Sequence, residues 1–311
     1  MKLSLVISVL NEEGNIEPLL EKIRDSLRDY HYEVIFVDDG STDQTVEQIR
    51  LHGDSRVKVV ILNKHYGQTT GLAAGIDLAE GEIIVTLDGD LQNDPADIPA
   101  MVRVLEEGRW DVVAGRRIKR KDSLFLRRWP SYVANFLIRK ITGVCIYDYG
   151  CTLKVFRASV ARSLGLYGEL HRFIPVLATL QGASISEMNV MHHRRVHGKS
   201  KYGLGRPLKV MSDLLLMVFF QKYLQRPMHL FGILGMLTFG LGLILDIYLL
   251  TITLAGREIG GRPLLILAIT FTLGGIQLIT SGLIAEIIMR TYYESQDKKT
   301  YRVKDVVVGK N

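Results

Sequence analysis

Short apolar runs alternate with amphipathic stretches over the first hundred residues. Leu3 to Val9 is a strand-length apolar run broken only by Ser4 and Ser8. Asn15 to Tyr30 places Ile16, Leu19, Leu20, Ile23 and Leu27 on one helical face. Glu33 to Val37 predicts a second strand, followed by a helix from about Gln44 to His52 that Ser41 or Thr42 can cap. Val57 to Leu62, Thr69 to Ala79 and Ile83 to Leu87 continue the series as strand, helix and strand. Such alternation predicts an α/β fold with a mostly parallel, doubly wound sheet. Sheets of this kind bind ligands beyond the carboxyl ends of their strands.

From about Arg103 to Arg206 the pattern is less regular and more basic, with an amphipathic stretch at Tyr132 to Ile141. Met211 to Tyr223 predicts a more apolar helix. Two further apolar runs, Leu230 to Leu254 and Leu264 to Met289, reach the roughly 20 residues that a bilayer-spanning helix needs. The linker from Ala255 to Pro263 is short and rich in turn residues, so the pair reads as a hairpin. Asp246 and Glu286 interrupt it, and acids in such segments face protein or water, or lie near an end. Lys222, Arg226, Arg290, Lys298 and Lys299 flank its open end, against Arg257 and Arg262 in the linker. The positive-inside rule then places the amino-terminal domain and both termini in the cytoplasm, with a multi-pass anchor in the cell membrane. The expected organisation is a catalytic domain over 1–205, a juxtamembrane amphipathic helix over 206–228, a transmembrane hairpin over 229–290 and a cytoplasmic tail over 291–311.

Composition narrows this picture a little. A chain of 311 residues, 47% hydrophobic and 23% charged, holds one sizeable domain plus an appendage and is not a disordered sequence. Two cysteines, Cys145 and Cys151, are too few for a disulfide framework or a zinc set and suit a reducing compartment. Lys2 to Ile7 is too short for a secretory signal. The net charge of +6 fits phosphorylated substrates or anionic lipid, and no nucleic-acid partner is expected.

The chemistry concentrates at strand ends. Thr86-Leu87-Asp88-Gly89-Asp90-Leu91-Gln92 sets two carboxylates, separated by glycine, at the end of an apolar strand. That pair can hold Mg²⁺ or Mn²⁺ together with substrate phosphates, and the glycine leaves room for a bulky group to approach. Asp38-Asp39-Gly40-Ser41 ends an earlier strand, and Asn11-Glu12-Glu13 ends the first. Together, Val6 to Glu13, Val37 to Asp43 and Asp88 to Pro95 resemble the three successive signatures of family 2 glycosyltransferases with the GT-A fold. Ser8 stands where that family usually has proline.

The resemblance continues along nearly the whole chain. Gly115-Arg116-Arg117 resembles the Gly-x-Arg of polyprenyl-phosphate hexose synthases, Arg127 with Ser131 their Arg-x-x-x-Ser helix, and Arg195 to Tyr202 their Arg-x-x-Gly-x-Ser-Lys segment. The two-helix bacterial members are the nearest likeness, and dolichyl-phosphate mannose synthase a more distant one. The resemblance implies donor contacts from Asn11, Glu12, Glu13, Asp39, Gly67 and Asp88, and a metal held by Asp88, Asp90 and Gln92. It implies catalytic roles for Asp90, Arg117 and Arg195, and acceptor contacts from Arg127, Ser131, Ser200 and Lys201. The implied activity is inverting transfer of one hexose from a nucleotide-sugar, UDP-glucose before others, to a polyprenyl phosphate, undecaprenyl phosphate before others. Its product would donate sugar to the cell envelope; assembly into a homo-oligomer is left open.

Arginine suits phosphate because its fork makes two charge-assisted bonds and does not lose its proton. Lys119, Arg120 and Lys121 fit an anionic lipid surface as well as a substrate. His192, His193 and His197 have no acid beside them in sequence and read as surface or packing residues. Two other readings are open. In a processive polysaccharide synthase, Asp148 would be the base for a hydroxyl acceptor. A non-catalytic membrane scaffold on the same fold is the other.

Overall fold

A computed structural model describes residues 1–118, 143–166, 170–194, 226–256 and 263–295, with isolated positions between these stretches. Arg127, Ser131, Arg195, Ser200 and Lys201 lie outside the described residues, as do Lys119 to Lys121 and nearly all of the stretches at 132–141 and 211–223.

The described residues divide into two compact units, Met1–Leu214 and Leu215–Asn311. In the first, strands β1 (Lys2–Val9), β2 (His31–Asp38), β3 (Val57–Ile61), β4 (Ile83–Asp88), β5 (Val112–Arg117), β6 (Lys154–Arg157) and β7 (Ile185–Val190) form one sheet in the order β3-β2-β1-β4-β6-β5-β7. β1, β2, β3 and β4 run parallel, as do β5 and β7. β6 runs antiparallel to both β4 and β5 between the two halves. The sheet is therefore mostly parallel, with one reversed strand that the periodicity does not announce.

Helices α1 (Ile16–Ser26), α2 (Thr45–His52), α3 (Gln68–Leu78), α4 (Ile98–Glu107), α5 (Ala158–Ala161) and α6 (Ile174–Leu180) accompany it. Leu3, Leu5, Ile7 and Val9 of β1 pack with Ile16, Leu19, Leu20 and Ile23 of α1 and with Met101, Val102 and Leu105 of α4 in one core. On the other face α3 approaches closely, since a Cβ at Gly75 would overlap Val6 and Val37, and one at Gly71 would overlap Ser8. Parallel strands covered on both faces read as continuous apolar runs, as β1 and β2 do.

Two local expectations change. α1 spans 11 residues and stops at Ser26, because Leu27 leaves helical geometry and accepts the Tyr30 N–H in a turn that leads into β2. Ser41 and Thr42 do not cap α2. Asp43 accepts the Thr45 N–H (3.0 Å), while Ser41 and Thr42 engage Asn11 instead.

The second unit contains α7 (Pro227–Leu254) and α8 (Pro263–Ser295), packed as a hairpin. Both are long and apolar enough to cross a bilayer, and most of their side chains face outward. Small residues let the backbones approach, the usual device where lipid rather than water surrounds a helix pair. A Cβ at Gly242 would overlap the Thr272 backbone, and one at Gly275 the Phe239 backbone. Asp246 accepts a hydrogen bond from Thr272 Oγ1 (2.7 Å), so this acid faces its partner helix.

Candidate active site

Three loops meet at the carboxyl edge of the parallel half. Asn11, just past β1, sits at φ +50° and links to the loop after β2: its N–H donates to Ser41 Oγ (2.9 Å) and its Oδ1 accepts the Thr42 N–H (2.8 Å). The Glu12 N–H donates to Thr45 Oγ1 (2.8 Å), and the Glu12 carboxylate, largely buried, accepts from Asn15 Nδ2 (2.6 Å). Glu13 accepts the Gln44 N–H (2.9 Å). These three residues thus brace one loop against another.

Asp38 and Asp39 are both buried. Asp38 accepts the Ser41 N–H (3.2 Å), which closes its own turn. Asp39 reaches the next loop, where it accepts the backbone N–H groups of Tyr66 (2.7 Å) and Gly67 (2.9 Å) and lies 2.8 Å from His65 Nδ1. Gly67 stands at φ +100° just before α3, a conformation that side-chain-bearing residues rarely adopt. Held in this way, α3 begins with Gln68 aimed at the sheet edge, and Gln68 Nε2 donates to Asp88 Oδ1 (2.7 Å).

Asp88 ends β4. Its second oxygen accepts from Thr152 Oγ1 (2.7 Å), and the Thr152 carbonyl accepts from Thr86 Oγ1 (2.6 Å). Burial, together with the negative charge of Asp90, pushes the Asp88 carboxyl up to about 6. Asp90 is buried and accepts the Gln92 N–H (3.1 Å) across a tight turn in which Leu91 adopts φ +59°. Gly89 is small for a packing reason, because the Val9 side chain occupies the space that its Cβ would take. This corrects the expectation that the missing side chain leaves room for a ligand.

The second half of the edge is built from ions. Arg117, at the end of β5, makes a two-pronged pair with Asp148: Nε to Oδ2 is 2.7 Å and one terminal nitrogen to Oδ1 is 2.8 Å. Burial works against the Arg117 charge, but Asp148 outweighs it and holds the guanidinium above its ordinary range. Asp148 also accepts the Gly150 N–H (3.2 Å), and Glu187 Oε1 accepts the N–H groups of Tyr147 and Asp148. Lys154 is buried on β6 and donates to the Cys151 carbonyl. Burial also raises the Cys151 thiol, to about 11, so it is a neutral packing group.

Beyond Asp90, the chain pairs with the segment that follows β7. The His193 N–H donates to the Gln92 carbonyl (2.8 Å), Asn93 bridges His192, and the His193 ring lies 2.8 Å from Asp94 Oδ2. Burial opposes the Asp94 charge, yet His193 and the Ala96 N–H hold its carboxyl below the ordinary range. This corrects the reading of His193 as lacking an acidic partner, since Asp94 is 99 residues away in sequence. Sequence reasoning also missed Gln68, Thr152 and Lys154, which are ordinary residues locally and acquire meaning only where β6 and α3 meet β4.

The structure brings Asp88, Asp90 and Gln92 together with Asn11, Glu12, Glu13, Asp39 and Gly67 at one sheet edge. Among the described residues no three His, Cys, Asp or Glu side chains surround a single point. Asp88 and Asp90 nevertheless fit a divalent cation. Their charges lie side by side, and each Asp88 oxygen keeps a lone pair beyond its one accepted bond. Such a cation would be completed by substrate oxygens, as is usual for Mg²⁺.

The comparisons with known proteins agree with this architecture. Residues 4–165 match the glycosyl transferase family 2 profile. The dodecaprenyl-phosphate galacturonate synthase of Rhizobium johnstonii is 44% identical over 98% of this chain and 93% of its own. The undecaprenyl-phosphate 4-deoxy-4-formamido-L-arabinose transferase of Pseudomonas aeruginosa is 35% identical over 98% of this chain and 90% of its own. Among solved structures, glucosyl-3-phosphoglycerate synthase from Mycobacterium tuberculosis, in complex with Mn²⁺, UDP and phosphoglyceric acid, superposes with a TM-score of 0.56 at 19% identity, covering 70% of this chain and 78% of its own. From its strand-end signatures, its GT-A type sheet and these relatives, the chain belongs to glycosyl transferase family 2.

Proposed function

We propose that the protein transfers one sugar from a nucleotide-sugar to a polyprenyl phosphate, with inversion at the anomeric carbon. The observation that carries this reading is the half-buried Asp88 beside the buried Asp90 at the sheet's ligand edge, in a chain with end-to-end relatives named for polyprenyl-phosphate chemistry. A divalent ion on Asp88, Asp90 and Gln92 would supply counter-charge to the departing nucleoside diphosphate. Asp39 orders the Tyr66–Gly67 loop for the donor, and Gln68 and Thr152 fix the orientation of Asp88.

An acceptor phosphate has its second pKa near 6, so its oxygen is already anionic at neutral pH. That oxygen bonds to the anomeric carbon while the bond to the diphosphate breaks and the diphosphate keeps the electron pair. Positioning and charge screening suffice, and no strong base is needed. Asp148, the candidate base for a hydroxyl acceptor, engages Arg117 with both oxygens, which favours the phosphate acceptor over a processive synthase. Arg195, Arg127, Ser131, Ser200 and Lys201 are proposed to meet the acceptor phosphate.

The relatives carry two different sugars, so the glucose expectation stands beside galacturonate and an amino-arabinose derivative. The hairpin is proposed to span the cell membrane with its open end cytoplasmic, supported by the lysines and arginines at that end. The test is incubation of the detergent-solubilised protein with radiolabelled nucleotide-sugars and undecaprenyl phosphate, followed by lipid extraction. Label in the organic phase with one donor supports the reading; label in none of them, or in a growing polymer, overturns it. Cysteines placed in the Gly256 to Gly261 linker should react from the far side of the membrane.

A further inference from the structure

Lys154 poses a problem of charge. It lies on β6, the reversed strand, in register with Thr86 of β4 on one side and Ala114 of β5 on the other. Its side chain is 2% exposed. An ammonium has three N–H donors, and a buried charge is costly unless paired and hydrogen-bonded. Among the described residues Lys154 has one acceptor, the Cys151 carbonyl, and no carboxylate within ion-pair distance. The nearby acids are already engaged: Asp88 with Gln68 and Thr152, and Asp148 with Arg117. Burial pulls the Lys154 ammonium below its ordinary range, and Asp148 and Asp88 only partly restore it.

The remaining donors border a small recess. Lys154 lines a recess of about 220 Å³ including its open mouth, together with Thr86, Cys151, Thr152, His171 and Arg172. Its interior has room for one small polar group rather than a whole sugar ring. Thr152 links this recess to the reacting centre, because its hydroxyl donates to Asp88. His171 is fixed there by Thr69 Oγ1, 2.8 Å from Nδ1. Three basic side chains and three hydroxyls line the recess, and no Asp or Glu does.

The geometry points to Lys154 as a donor-contacting residue whose ammonium receives an anionic substituent of the transferred sugar, making the donor a nucleoside-diphosphate hexuronate. This rests on the nucleotide-sugar reading above and narrows it to one sugar class. A carboxylate oxygen at the far end of the sugar suits the recess in charge and supplies a missing acceptor. A neutral hexose or a formamido pentose would leave the ammonium under-satisfied, and a site built to hold a charged group rejects the analogue that lacks it.

The sugar carboxylate and the donor's own diphosphate share the same anionic chemistry, so the experiment separates them. Binding of UDP, UDP-glucose and UDP-galacturonate to the full-length protein is measured by calorimetry for wild type and Lys154→Met. The expected result is tightest wild-type binding of UDP-galacturonate and a loss on the order of 10- to 150-fold for that ligand alone in the variant. Equal weakening of all three would mean that Lys154 reads the diphosphate, and an unchanged UDP-galacturonate affinity would remove it from the site; either result overturns the inference. Should Lys154→Met fail to fold, the wild-type ranking decides, and UDP-glucose binding as tightly as UDP-galacturonate sinks the idea. Transfer of a neutral sugar to lipid would overturn this inference and leave the wider function intact. Lys154-dependent hexuronate binding without lipid transfer would do the reverse.

Discussion

The two halves of the sheet edge solve the same problem in different ways. In the parallel half, Asp38, Asp39 and Glu13 are met by backbone N–H groups of neighbouring loops. In the half built on β5 and β6, buried charges meet one another, as Arg117 meets Asp148, or remain under-satisfied, as Lys154 does. The first arrangement fixes loop shape with local partners. The second stores charge near the site, where it can act on a charged substrate. Asp88 joins the halves, taking Gln68 from one and Thr152 from the other.

The largest expected effect lies at this junction. Asp88→Ala and Asp90→Ala should each reduce transfer beyond about 10³-fold, about 4 kcal/mol of barrier, since the diphosphate loses its counter-charge. Full activity in excess EDTA would refute the metal role. Asp88 also gives a pH signature. Its folded value of about 6 lies above the ordinary 3.8, so the metal-free protein binds the extra proton when folded. The stability it contributes is therefore present at low pH and lost as pH rises from about 4 through 6. Metal binding runs the other way, weakening below about pH 6 and releasing a proton. Calorimetry in two buffers of different ionisation enthalpy reads that proton. Asp90→Asn removes the neighbouring negative charge and should move the transition to lower pH.

Next comes the ion pair. Arg117→Ala takes the two-pronged cationic partner from the buried Asp148 carboxylate, which costs about 3–5 kcal/mol. A paired replacement, Arg117→Met with Asp148→Leu, should be more stable than either single variant, although inactive if Arg117 also touches phosphate. Thermal unfolding of the three proteins decides. Additive losses would show that the two residues are not coupled and would erase the contrast between the halves.

In the parallel half the effects should be smaller and confined to the donor. Asp39→Asn keeps one acceptor and turns an NH₂ donor toward a backbone N–H at Tyr66 or Gly67. The expected cost is about 1.5–3 kcal/mol, read as roughly 10- to 150-fold weaker UDP binding with faster hydrogen exchange at that loop. Unchanged UDP affinity would detach Asp39 from the donor site.

The contrast between the halves also explains what could be read in advance. Strands β1, β2 and β4 and the helices beside them are legible because both faces of the parallel sheet are covered there, so each strand is a largely apolar run beside a helical stretch. Asp39 and the Asp88–Asp90 pair are legible because strand ends carry short local signatures. Thr152, Lys154 and His193 are not. Lys154 stands two residues beyond Thr152 on a strand whose antiparallel insertion between β4 and β5 no local pattern encodes, and Asp94 finds His193 only after the chain returns from β7. Ser41 and Thr42 show the opposite failure. Their helix-capping propensity is real, but Asn11 offers a tertiary partner and α2 takes Asp43 instead.

The smallest prediction compares the halves through one identical deletion, the loss of a single hydroxyl. Ser41 Oγ accepts the Asn11 N–H at the exposed clasp of the parallel half. In Ser41→Ala, water can take over that N–H, so only the net value of an ordinary hydrogen bond is lost, about 0.5–1.5 kcal/mol at most. Thr152→Val removes a group of similar strength, but its partner is the half-buried Asp88 carboxylate, whose charge is already disfavoured by desolvation and by Asp90. That carboxylate would keep Gln68 and lose its second donor, so its pKa should rise further and its metal affinity fall. Stability changes of the two variants should therefore be alike, within about 1 kcal/mol, whereas sugar transfer should drop about tenfold for Thr152→Val and less than about threefold for Ser41→Ala. Equal loss of transfer in both would mean that the clasp itself positions the donor. Loss in Ser41→Ala alone would place the sensitive part of the site in the parallel half and leave Thr152 a packing residue.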